Sequence, residues 1–126
     1  MHYLLKTEPG DYSYQDLERE KETNWTGVAN PQAVKNLAAM KKGDELVIYH
    51  TGGEKTAVGL ARVVSADAGD PRQPQIRIAA ERPLAQPKTL AEMKQETVFA
   101  DSPLLRQGRL SVVPLTAAQF DWIVRK

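Results

Sequence analysis

The chain has 126 residues, 41% of them hydrophobic and 26% charged, with 17 Lys+Arg against 16 Asp+Glu and no cysteine. That size and apolar content suit one globular domain over residues 1–126, and the lack of cysteine excludes disulfides, thiolate metal sites and cysteine nucleophiles. A net charge of +1 excludes a protein that grips nucleic acid mainly through phosphates. Met1 to Lys6 holds too few apolar positions for a signal peptide and no run reaches a membrane-spanning length, so the expectation is a cytoplasmic, monomeric protein with no membrane association.

Tyr3 to Lys6 reads as a first strand, stopped by the turn composition Pro9-Gly10-Asp11. Ser13 with Asp16 three residues on approximates a capping box for a helix through about Glu20, with Asp16, Glu18, Glu20 and Glu22 as a solvated acidic face. Asn30 as cap, Pro31 at the first helical position, and Ala33, Val34, Leu37 and Ala38 at helical spacing predict a second helix, ended by Gly43. Glu45 to His50 is a densely apolar strand, and Thr56 to Ala66 returns after Thr51-Gly52-Gly53 as the second arm of a hairpin.

Pro71 and Pro74 mark a loop. Gln75 to Glu81 then alternates, with Ile76, Ile78 and Ala80 on one face, as a half-buried strand does. Thr89 with Glu92 opens a short helix through about Lys94, Arg109 to Val113 reads as a final strand, and Thr116 with Gln119 opens a last helix carrying Phe120, Ile123 and Val124. Strands with helices inserted between them, without βαβ regularity or internal repeat, point to an α+β fold around a small curved or closed sheet.

Some residues stand out chemically. Trp25 lies in a segment with no amphipathic period, beside Gly27; it is either a core residue or a flat surface on which a base stacks, worth about 1–3 kcal/mol per base. Extruding a base from a duplex costs a few kcal/mol, which one such wall approximately offsets. Asn30 has the donor and acceptor that a base edge requires, yet its place before Pro31 makes it equally a helix cap. The free amides of that helix's first turn suit an anion. Lys6 and Thr7 end the first strand, where Lys6 holds a phosphate and Thr7 a base edge, or where both simply serve the turn.

His50 ends its strand and either donates to a ligand or bonds a backbone group, while Tyr49 points to the core. Metal binding is not expected, because the other histidine is His2 and nothing adjacent supplies further ligands. Arg109 and Ser111, two apart on one strand face, border a pocket or form a sheet-edge pair. An enzyme with His50 as base and Glu8 or Asp44 as its carboxylate partner is the weaker alternative. No serine sits in a nucleophile-elbow glycine pattern, so neither catalytic residue nor cofactor is expected.

Four segments carry a wider likeness: Tyr3-Leu4-Leu5-Lys6-Thr7-Glu8-Pro9, Trp25-Thr26-Gly27-Val28-Ala29-Asn30, Gly43-Asp44-Glu45-Leu46-Val47-Ile48-Tyr49-His50-Thr51 and Leu104-Leu105-Arg106-Gln107-Gly108-Arg109-Leu110-Ser111-Val112. In this order and spacing the chain resembles the EVE domain, a PUA-like module related to the YTH-type readers of modified nucleobases. The resemblance implies a small curved or closed β-barrel with a pocket at one end, formed by Lys6, Thr7, Trp25, Val28, Asn30, His50, Arg109 and Ser111. It also implies a nucleic-acid partner, DNA or RNA, whose modified base is flipped or unpaired into that pocket. The family's pattern has Trp where this chain has Leu4, and Arg, Tyr and Arg where it has Ala29, Pro31 and Val34. With less stacking and less positive charge, a small-molecule or protein-interaction module with the same pocket is the alternative reading.

Overall fold

A computed structural model describes residues 1–67, 69–70 and 72–125; Pro71 of the expected loop lies outside them. The elements in chain order are β1 (His2–Thr7), α1 (Tyr14–Glu20), β2 (Glu22–Asn24), α2 (Pro31–Ala38), β3 (Glu45–His50), β4 (Thr56–Asp67), β5 (Gln75–Thr89), α3 (Leu90–Lys94), a 3-10 turn (Thr97–Phe99), α4 (Pro103–Arg106), β6 (Val112–Leu115) and α5 (Ala117–Val124).

Local chemistry sets most of the helix starts. Ser13 and Asp16, Thr89 and Glu92, and Thr116 and Gln119 each form a full capping box, and the Asn30 side chain accepts from the Ala33 amide. These bonds occupy amides that a helix's first turn would leave unpaired. Of the expected acidic face, Glu18 and Glu20 are exposed, Asp16 is taken up by its cap, and Glu22 sits on β2 with its carboxylate 3.0 Å from Arg77.

Among the described residues the sheet has the order β2-β5-β4-β3-β1-β6, with β1 and β3 parallel and every other pair antiparallel. It is open, with β2 and β6 as its edges, and does not close into a barrel. The parallel pair lies near the centre of the buried core, where Leu4, Leu5, Leu46, Val47 and Ile48 lose all or nearly all contact with solvent. Continuous apolar runs of this kind are what a strand covered on both faces requires. The register pairs Thr7 with His50, so the C-terminal ends of both strands arrive together.

Tyr14 pins α1 to this sheet. Its hydroxyl donates to the Leu60 carbonyl at 2.7 Å, and its ring fills the space that a side chain at Gly59 would need. At the far end, the buried Lys88 ammonium donates to the carbonyls of Gln86, Ile123 and Arg125. A cation placed on the last carbonyls of α5 complements the negative end of that helix and ties it to β5.

Several boundaries differ from the sequence expectation. The strand from Gln75 continues to Thr89, through Pro83 and Pro87. Beyond Ala80 no described strand lies along its other side, which makes this half of β5 an edge of the kind that tolerates proline, and Pro83 sits opposite Gly59 at a register shift. The last strand is Val112–Leu115 and not Arg109–Val113: Leu110 N donates back to Gln107 O at 3.0 Å, folding Gly108 and Arg109 into a turn. Helix α2 stops at Ala38, and Gly43, at φ +94°, belongs to a separate turn closed by the Asp44 side chain on the Lys41 amide.

Candidate functional site

Where β1 ends, the chain turns back on itself: the Glu8 carbonyl accepts from the Asp11 and Tyr12 amides, both at 2.9 Å, and the Thr7 hydroxyl donates to the Tyr12 carbonyl at 2.6 Å. This places Tyr12 beside the end of β2, where the Trp25 amide donates to Ile76 O at 2.8 Å and extends the ladder by one rung. Between the two aromatics and the strand end lies a cleft of about 370 Å³. It is lined by Lys6, Thr7, Glu8, Asp11 and Tyr12, by Thr23 to Val28, and by Ser111.

The two rings form a corner, with centres 6.1 Å apart and planes at 77°. Trp25 belongs to the hydrophobic core at 8% exposure, which is the packing reading of this residue, and it also lines the cleft. Tyr12 is half-buried. Its hydroxyl donates to Glu20 Oε1 at 2.6 Å, and burial, followed by that carboxylate, pushes the phenol up to about 12.

Lys6 is held in place on the opposite side. Its amide donates to Ser111 O at 2.9 Å, and its ammonium donates to Gly108 O at 3.1 Å and stands 6.0 Å from the centre of the Tyr49 ring. Burial lowers its pKa. The cleft's charged lining is therefore one partly buried ammonium and two exposed carboxylates, Glu8 and Asp11. A carboxylate accepts hydrogen bonds and donates none, so this rim favours a ligand edge that carries N–H groups.

Of the residues singled out from sequence, Lys6, Thr7, Trp25, Val28 and Ser111 come together here, and Asn30, His50 and Arg109 do not. Asn30 Oδ1 is 3.0 Å from the Ala33 amide and acts as the helix cap. Arg109 and Ser111 are not a strand-face pair, because both precede β6. His50 is 3% exposed beneath α1: its Nε2 accepts from the Tyr14 amide at 2.9 Å, which places the ring proton on Nδ1, 2.9 Å from Glu54 Oε1. Its carboxylate partner is Glu54 and neither Glu8 nor Asp44. Tyr12, Asp11, Thr23 and Asn24 escaped the sequence reading, although an aromatic directly before the helix cap Ser13 was a signal.

A model of the EVE domain family matches residues 1–126. Human thymocyte nuclear protein 1 is 26% identical over 98% of this chain and 72% of its own length. Among solved structures, protein Atu2648 from Agrobacterium tumefaciens is 30% identical with a TM-score of 0.90, covering 98% of this chain and 90% of that one. The human THYN1 protein in complex with DNA containing 5-methylcytosine is 27% identical with a TM-score of 0.83, over 98% of this chain and 95% of that one.

Proposed function

The chain belongs to the EVE domain family, and from that premise we propose that its cleft holds one modified nucleobase, presented unpaired or flipped out of a DNA or RNA strand, and that it binds this base without chemically changing it. The observation that carries the reading is the right-angled corner of Tyr12 and Trp25 in a cleft of about 370 Å³. That volume is at the small end of the roughly 300–1,000 Å³ of ligand sites. A flat ring seated in such a corner stacks on one aromatic and meets the other edge to face, both favourable arrangements.

The lining also suggests which base. Glu8 and Asp11 match the exocyclic amine of a cytosine or adenine and are unfavourable beside the O4 that thymine and uracil carry at the corresponding place. Half-buried Val28 offers an apolar contact for a ring methyl. A modified cytosine satisfies both conditions, and a relative of this chain was solved with 5-methylcytosine DNA. The engagement of both His50 nitrogens supports a binding role over a catalytic one.

Ligand-observed NMR with 5-methyl-2′-deoxycytidine, 2′-deoxycytidine and thymidine tests this. The methylated cytidine binds best and thymidine least; thymidine binding as well as the methylated cytidine overturns the base assignment.

A further inference from the structure

The segment Asn24 to Val28 has a second side. It bounds another hollow, of about 270 Å³, whose charged lining residue is Arg72. Arg72 and Val34 also line a shallower groove along α2, and there Lys35 joins them. The segment Asn24 to Val28 walls both the base cleft and this hollow, and Val34 and Arg72 wall both the hollow and the α2 groove, so the three lie in sequence as a track with that segment as a ridge across it.

Charge divides the track. Glu8 and Asp11 line the base cleft with a single cation, Lys6, whose ammonium is already bonded to Gly108 O, whereas the charged residues lining the second hollow and the groove are all cations. Arg72 and Lys35 are exposed, and among the described residues neither is held in an ion pair. The nearest acid in sequence, Asp70, is engaged with the backbone, its Oδ1 accepting from the Arg72 amide at 3.0 Å.

We propose that the hollow and the α2 groove carry the sugar-phosphate backbone of the strand whose base occupies the first cleft, with Arg72 and Lys35 each neutralising one phosphate. This rests on the base-binding reading. A base within a strand cannot enter the cleft without bringing the phosphates that flank its sugar. The carboxylates repel those phosphates and the two cations attract them, so the strand lies across the Asn24–Val28 ridge toward α2. Phosphate contacts release counterions, and that release makes them measurable apart from contacts to the base.

The test compares a short single-stranded DNA carrying one central 5-methylcytosine with the free nucleoside 5-methyl-2′-deoxycytidine, across a KCl series. The proteins are the wild type, Lys35→Gln with Arg72→Gln, and a control of equal charge change, Lys94→Gln with Arg106→Gln, on α3 and α4. Each phosphate contact on a single strand contributes about −0.7 to the slope of log K against log salt, so the first double variant lowers the steepness by about 1.4. Its nucleoside affinity stays that of the wild type, and the control keeps the full slope. An unchanged slope in Lys35→Gln with Arg72→Gln overturns the proposal, as does a nucleoside affinity that falls as far as the oligonucleotide's. If the wild type binds the oligonucleotide but no nucleoside, the base reading fails while the slope still decides the track; if it binds neither, both fail.

Discussion

Tyr12 and Trp25 meet at 77° across 6.1 Å, one half-buried and the other built into the core, so truncating each separates recognition from folding. Tyr12→Ala removes a stacking face worth about 1–3 kcal/mol, which lowers nucleoside affinity by about 5- to 150-fold. Its thermal midpoint falls less than that of Trp25→Ala, because the ring is only partly buried against the core. Trp25→Ala empties a core position at a cost of about 3–5 kcal/mol and depresses the midpoint and the affinity together. Melting curves and NMR titrations of both variants decide the matter; a Tyr12→Ala protein that binds as tightly as wild type removes that ring from the site.

His50 behaves as a structural residue. His50→Ala strips the buried Tyr14 amide of its acceptor, at a cost of about 1–3 kcal/mol. Hydrogen exchange at that amide accelerates, while a nucleoside still binds to the fraction that remains folded. Glu54→Gln, at a half-exposed position, changes stability little. A His50 variant that loses the ligand without losing stability contradicts this assignment.

Gly59 is the seat of Tyr14. A Cβ built there falls 2.3 Å from the ring, and strand backbone on one side and a ring buried to 1% exposure on the other leave little room to yield. Gly59→Ala destabilises by about 1–3 kcal/mol or more through overpacking. Urea denaturation measures it, and pairing the change with Tyr14→Leu recovers part of the loss, as coupled neighbours do.

Two capping carboxylates confer a pH dependence. The Ser13 amide on Asp16, and the Thr89 amide and hydroxyl on Glu92, hold both groups below their usual values of 3.8 and 4.5. Because the folded-state pKa is the lower one, the stabilisation is complete above the usual carboxylate range and drains away as pH falls through the depressed values. Asp16→Asn with Glu92→Gln flattens the decline of the thermal midpoint between about pH 5 and pH 3. Superimposable acid limbs for the variant and the wild type refute the contribution.

Much of the fold was legible because its signals are local. A capping box spans four residues and names its own partners, so three helix starts could be read from Ser13, Thr89 and Thr116. Strand β3 matched the expected Glu45 to His50 because its apolar run is bounded by turns. What escaped is non-local. Glu22–Asn24 is a strand only because Arg77 to Ala79 lie beside it, and the strand from Gln75 runs on past Glu81 to Thr89 because β4 continues to pair with it. The cleft divides in the same way. Thr7 and His50 are register partners, yet only Thr7 lines the cleft; His50 turns beneath α1 to a backbone amide 36 residues away in sequence, a destination that no spacing encodes.

The inner wall of the cleft hangs on β2, three residues long and paired along one side. Each rung there is close to a free edge, so the segment that presents Trp25 breathes more readily than the central strands beneath it. Its amides surrender their protons to solvent early, and a guest wedged against the indole slows that leak. The wall on which we propose that a base rests is thus a margin of the sheet, held more loosely than the doubly flanked strands at its middle.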